Sequence, residues 1–244
     1  MAHKKSSKTA KRAASRPTTK AVARTASSTR PAIAGSQPTA AATSAKTPLK
    51  HLARFLPWIL IIGGIIGIIA SYAITLDKFE LATNPNFQPI CDLNPIISCG
   101  SVMKSKQANA FGFMNTYIGL IGFPVILTMG VAMLAGARFK RWFWLGAQAG
   151  LTFGFIFAYW LLFESMYRIR ALCPWCLSVD VAITTIFWYL TLYNFYAGNL
   201  RVPERLRTAG RFIKRHHADI LVLWFLIIIA EILHHFWYYF GQRI

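Results

Sequence analysis

ALCPWCLSVDVAITTIFWYLTLYNFYAG, residues 171–198, sets two cysteines at the head of a long apolar run. The run Leu177–Gly198 can cross a hydrocarbon core of roughly 30 Å at about 1.5 Å of rise per residue. Pro174 and Trp175 occupy its first turn, where a proline is tolerated because the N–H it lacks has no helical partner there. A CxxC pair at a helix N-terminus is a redox arrangement. The free backbone N–H groups and the helix dipole stabilise a thiolate, and only the thiolate attacks a disulfide.

Four further runs have similar length: Phe55–Leu76, Thr116–Ala137, Trp142–Phe163 and Ala218–Tyr239. They explain how a chain of 244 residues is 55% hydrophobic while carrying a net charge of +19. Lipid offers backbone polar groups no partner, so five such runs predict an all-α membrane protein, a transmembrane helix bundle. Gly63, Gly64 and Gly67 in the first run allow close helix contact. The short basic turn Arg138–Arg141 predicts that spans two and three pack as an antiparallel hairpin.

Charge sets the expected orientation. Twelve of the 27 Lys and Arg residues precede the first span, three lie in Arg138–Arg141 and six in Arg201–Arg215. With five spans these regions share one side, and the positive-inside rule makes it the cytoplasm. The chain then reads as multi-pass in the inner or plasma membrane, with its C-terminus external. Residues 1–54 are rich in Ala, Ser, Thr, Lys, Arg and Pro and predict a disordered cytoplasmic tail near anionic lipid. No aromatics are interleaved there, so no nucleic-acid partner is expected. Residues 55–200 form the redox bundle, 201–217 a basic cytoplasmic loop, and 218–244 the fifth helix with the external end.

All four cysteines fall on the external side, where disulfides persist. Cys91 and Cys99 lie in the external loop 77–115, and Cys173 and Cys176 in the CxxC. Asn84-Pro85-Asn86 reads as a turn. Asn94-Pro95 reads as a helix start and predicts a short external helix from Pro95 to about Gln107. Ile96, Ile97, Val102 and Met103 would rest on the membrane, with Lys104 and Lys106 facing water. Phe111-Gly112 breaks the segment and Asn115 caps span two. Two inert structural disulfides, a metal site of four thiolates and unpaired core cysteines are the alternatives to a thiol relay. A relay needs a final acceptor, and quinone suits a CxxC dipping into the bundle, being lipid-soluble and able to take two electrons. Arg168 and Arg170 could lower the thiol pKa, or snorkel to headgroups.

The run Cys91-Asp92-x-Asn94-Pro95-x-x-Ser98-Cys99-x-x-Val102-x-x-Ser105, followed by Phe111-Gly112 and Asn115, resembles the loop signature of the vitamin K epoxide reductase family. Cys173-Pro174-Trp175-Cys176 is similar to that family's active-site motif, and five spans resemble its bacterial members. The resemblance covers roughly residues 55–200. It implies a four-helix transmembrane bundle around a quinone, menaquinone or ubiquinone, plus a fifth peripheral transmembrane helix. It implies a separate thioredoxin-fold thiol oxidase of the DsbA type as partner, which makes disulfides in exported proteins. Cys91 and Cys99 match the shuttle pair, with Cys91 meeting the partner. Cys173 matches the thiol that exchanges with Cys99, and Cys176 the thiol facing quinone. Asn115 resembles the family asparagine that donates to a quinone carbonyl, beside its reading as a plain helix cap. Ser105 matches a loop serine or threonine near the centre, beside capping or solvation.

Two departures stand out. Asp180 occupies the position of a tyrosine found in vertebrate members. Many bacterial members continue into a thioredoxin-like domain after the fifth span, whereas this sequence ends at Ile244, so the partner is expected to come from another chain. An acid one turn inside a span is a functional candidate. Asp180 could deliver protons to reduced quinone, or pair with Arg168 or Arg170. Glu164 reads as solvated near a boundary. Glu231 lies on span five, with His234 and His235 at headgroup level. The leading reading is a membrane thiol:quinone oxidoreductase. Its rivals are a quinone or vitamin K epoxide reductase running in the reducing direction, and a non-catalytic disulfide-stabilised scaffold.

Overall fold

The computed structural model describes residues 40–84, 86–200, 212–213 and 215–237. The expected disorder of residues 1–39, Pro85 of the predicted turn, most of the basic loop 201–217 and residues 238–244 lie outside the described residues. Among the described residues six α-helices follow in order: α1 Ala40–Thr83, α2 Cys99–Lys104, α3 Thr116–Leu134, α4 Arg141–Glu164, α5 Pro174–Tyr196 and α6 His217–His235. Five of them carry apolar stretches long enough to span a bilayer, so this is a multi-pass membrane protein. α1 starts well before Arg54, because the Ala-rich residues from Ala40 favour helix. Residues 40–54 therefore continue the first helix, in place of the disorder expected there.

α1 is the central helix, packing on α3 and on α5, while α5 also packs on α4. Its glycines permit this. A Cβ on Gly67 would meet the Phe123 ring of α3 at 2.3 Å, and one on Gly63 would meet Ile186 of α5 at 2.7 Å. Leu56, Leu60, Phe123, Ile186 and Leu190 form the centre of the core.

α3 and α4 do not form the packed hairpin expected from their short connection. Each finds its apolar partner elsewhere: Phe123 over Gly67, and Gly154 of α4 facing Ile183 of α5. The positions of α4 that could bridge to α3 include Gly146 and Gly150, and a Cβ at either would meet nothing within 4 Å. A gap remains between the two helices.

α6 is peripheral, with no buried residue of its own. Trp224 Nε1 donates to the Tyr159 hydroxyl of α4 at 2.6 Å, which lies 3.0 Å from Thr184 Oγ1 of α5. At the other end the Tyr167 hydroxyl donates to Glu231 at 2.6 Å, and the His235 ring lies 4.7 Å from that of Tyr167.

The external loop helix is shorter than predicted. Asn94 Oδ1 accepts from the N–H groups of Ile96 and Ile97, at 2.9 and 2.7 Å. No helix starts there, because Ile97 is held in a parallel bridge with Leu172. α2 begins only after Ser98, whose side chain caps it by accepting from Ser101 N–H. A 3-10 turn, Lys106–Asn109, follows. Ile96 and Met103 do not rest on the membrane. Both are buried, Ile96 against Leu162, Met166 and Leu172, and Met103 against the cysteines.

Candidate functional site

One backbone pairing places the sulfurs. Leu172 N–H donates to Ile96 C=O at 2.6 Å, and Ser98 N–H donates to Leu172 C=O at 3.0 Å. Cys99 and Cys173 each follow directly on this bridge, and their Sγ atoms lie 3.3 Å apart. Leu172 is positioned by the end of α4. There the chain passes through a π turn, Ser165–Ile169, and then Arg170 in the left-handed region at φ 59°. Pro174 at the first position of α5 starts the helix immediately after Cys173.

Cys91 and Cys99 form a disulfide, while Cys173 and Cys176 are free thiols. The intervening chain folds back on itself through Leu93 N–H and Asn94 N–H, which both donate to Ile97 C=O. Asp92 Oδ1 accepts from Gly100 N–H at 2.9 Å, closing the loop onto the start of α2. A Cβ on Gly100 would lie 2.6 Å from Asp92 Oδ2, so glycine makes room for this carboxylate. Cys99 and Cys173 are 0% and 1% exposed, and Cys91 sits at the edge of the same cluster.

The Cys173 thiol, just outside the α5 span, is held below the ordinary thiol range. The main cause is the hydrogen bond from Cys176, helped by the backbone N–H groups of Cys176 and Trp175; burial and Asp77 oppose it. Arg168 and Arg170 do not contribute. Arg168 Nε is spent on Glu164 Oε2 at 3.3 Å.

Beneath the sulfurs lies a cavity of about 570 Å³ in the gap between α3 and α4, with α1 and α5 behind it. It reaches Cys173 and Cys176, and its wall is almost entirely apolar. Its size and lining suit a small apolar ligand with a few polar contacts. Asn115, Ser105 and Asp180 all line it. Asn115 makes no side-chain cap for α3. Its Nδ2 donates to Gln107 C=O at 2.7 Å and its Oδ1 accepts from Ala110 N–H at 3.0 Å, which leaves one Nδ2 proton to spare. Ser105 Oγ donates to Val102 C=O at 2.7 Å. Asp180 pairs with neither arginine: Arg168 bonds Glu164, and among the described residues Asp180 has no ion pair.

The turn over the cavity is tied from three sides, by residues the sequence did not single out for this. Lys78 of α1 donates to Ala108 C=O at 3.1 Å and to Asn109 Oδ1 at 2.7 Å. Gln107 donates to Glu164 at 3.1 Å, so Glu164 is a buried anchor and not the solvated acid expected. Asn115 is the third tie. These pairs are separated by up to 57 residues, and no local pattern signals them.

A dithiol at a helix N-terminus, a disulfide in sulfur contact with it and an apolar cavity beside both define a membrane thiol–disulfide oxidoreductase. The family model described as Vitamin K epoxide reductase family matches residues 58–191, more than half of the chain, and the chain belongs to that family. Its members are oxidoreductases associated with quinone and with a thioredoxin-like partner. A comparison with curated proteins found no match.

Proposed function

We propose that the chain is a thiol:quinone oxidoreductase working in the oxidising direction, with the cysteines facing the exterior of the cell. The reading rests on one observation: the Cys91–Cys99 disulfide lies 3.3 Å, sulfur to sulfur, from a reduced Cys173 at the mouth of an apolar cavity. That arrangement is the product of one internal exchange. A reduced thioredoxin-fold partner of the DsbA type first reduces Cys91–Cys99. The Cys99 thiolate then attacks Cys173 of an oxidised Cys173–Cys176 pair, the Cys99–Cys173 bond forms, and Cys176 leaves as thiolate. Cys91 attacks Cys99, the loop disulfide reforms, and Cys173 leaves. Two electrons have moved from loop to centre.

A bound quinone, menaquinone or ubiquinone, supplies the two-electron, two-proton sink. Asn115, with its spare N–H, would donate to it at the external end, Ser105, whose hydroxyl proton is given to Val102 C=O, would line that end, and Asp180 would hold a proton at the cavity wall. Loss of two electrons and two protons from Cys173 and Cys176 remakes their disulfide. The basic segments on the other side of five spans support the cytoplasmic N-terminus.

The test is quinone reduction by the purified protein with a reduced thioredoxin-fold partner. Cys176→Ala should abolish it and leave the partner reduced. Turnover by Cys176→Ala, or net reduction of the partner at the expense of quinol, contradicts the reading.

A further inference from the structure

The segment before the loop disulfide presents an unusual surface. Ile90 is 97% exposed and Leu93 71%, flanking Cys91 at one residue before and two after. Most other exposed large apolar side chains lie on the five long helices, where lipid covers them. Phe111 and Phe113 of the loop stack on one another, and Phe111 packs against Phe157 of α4. Ile90 and Leu93 have neither cover. They lie past the end of α1 at Thr83, and exposed Asp92 sits between them, which opposes burial in lipid.

The backbone here is open as well. Phe87, Asp92, Leu93 and Asn94 N–H groups bond within the loop, whereas those of Gln88, Ile90 and Cys91 make no hydrogen bond among the described residues. Asp92 N–H closes a turn on Pro89 C=O at 2.9 Å, so Ile90 and Cys91 stand at the tip of this turn, where exposed apolar side chains beside the sulfur offer a partner something to fill its pockets. The same stretch carries the sulfur to be attacked. Both cysteines are buried, but Cys91 keeps 9% of its surface where Cys99 keeps none, so an outside thiolate reaches the disulfide through Cys91.

We infer that Phe87–Leu93 is the docking loop for the reduced thiol partner, with Ile90 and Leu93 seated in an apolar groove beside the partner's reactive cysteine. This rests on the oxidising reading above and adds how the partner is selected. The docked partner's thiolate attacks Cys91 Sγ. The Cys91–Cys99 bond breaks, the partner–Cys91 disulfide forms, and Cys99 leaves as thiolate next to Cys173. The partner's second thiol then attacks its own sulfur in the mixed disulfide. The partner leaves oxidised by two electrons, and Cys91 is released reduced. Asp92 and Asn94 hold the loop over the centre by their bonds to Gly100, Ile96 and Ile97.

The experiment uses the full chain in vesicles with a soluble quinone. Quinone reduction is driven either by a reduced thioredoxin-fold thiol oxidase or by dithiothreitol, which needs no groove. For the double variant Ile90→Ser, Leu93→Ser, the ratio of protein-driven to dithiothreitol-driven kcat/KM should fall by about tenfold or more, mostly through KM. The variant Ile90→Leu, Leu93→Met should restore the ratio to near the wild-type value. An unchanged ratio overturns the docking loop; that is also the result if the two side chains are lipid anchors, since both rates then fall together. A wild-type chain that cannot reduce quinone even with dithiothreitol sinks the oxidising reading itself, and this inference with it. An active wild-type chain with an unchanged ratio sinks the docking alone.

Discussion

Cys173 holds its sulfur between two others, the Cys99 sulfur of the loop and the Cys176 thiol on the first turn of α5. Its position as the residue before Pro174 also aims the first N–H groups of the helix at it. A thiol held low is a better leaving group, and in the exchange proposed above Cys173 is the group that leaves when Cys91 recloses the loop. The sign of a titration follows from the causes. The hydrogen bond from Cys176 is the largest stabiliser of the Cys173 thiolate, with two backbone N–H groups behind it. Removing that bond in Cys176→Ala should move the Cys173 midpoint upward, toward the ordinary thiol value, without abolishing the backbone contribution. The pH dependence of alkylation by a small reagent, with Cys91–Cys99 kept oxidised, measures this. A midpoint that stays put or falls shows that Cys176 does not stabilise the thiolate. The placing of Cys173 and Cys176 at the head of α5 was legible in the sequence because CxxC with a proline at a helix start is a local pattern. The 3.3 Å approach of Cys99 was not legible from spacing: it comes from a bridge between Ile97 and Leu172, 75 positions apart in the chain.

The elements owe their arrangement to small residues on α1. Phe123 of α3 lies against Gly67, and a methyl group there would stand 2.3 Å from the ring. Neither neighbour can give easily, since Phe123 is buried and Gly67 is backbone in mid-helix. Gly67→Ala should therefore destabilise the bundle by about 1–3 kcal/mol, although alanine favours helix over glycine. The unfolding midpoint of the detergent-solubilised chain reads this. Equal or greater stability would mean that α1 and α3 are not in this contact. The reading of Gly63, Gly64 and Gly67 as close-contact positions was sound because in a membrane helix a glycine run has few other uses. The expected hairpin of spans two and three failed for a related reason. A short loop fixes only that two helix ends are near, whereas packing along the length needs side chains that meet, and α4 offers glycine toward α3. The loop helix was misjudged at its start, since Asn94 caps backbone groups whether or not a helix follows; the bridge at Ile97 decides where α2 begins. Glu164 was misjudged because its burial comes from Gln107, on a distant segment.

At the scale of the whole molecule, the thiols and the cavity are separable machines. On the function proposed above, the loop, its bridge to Leu172 and the head of α5 carry exchange, and the gap between α3 and α4 holds the electron acceptor. Gly150 lies on the gap, on a helix whose register is fixed by α5, and a side chain there would meet only open space. Gly150→Leu improves helix propensity and removes no contact, so the chain should fold as well as the parent. The added side chain takes up space in a cavity of about 570 Å³ that a quinone ring and the start of its tail would need. The KM for quinone in the dithiothreitol-driven reaction should rise about tenfold, as a loss of roughly 1.4 kcal/mol in binding requires. Capture of the Cys99–Cys173 disulfide, in a background lacking Cys91 and Cys176, should be undiminished by the same substitution, because Cys99 does not line the gap and Gly150 lies about four turns along α4 from its cysteine end. A variant with unchanged KM for quinone removes the α3–α4 gap as the electron-acceptor site. One that loses the Cys99–Cys173 cross-link as well shows the two machines to be coupled through α4, contrary to the division drawn from the packing.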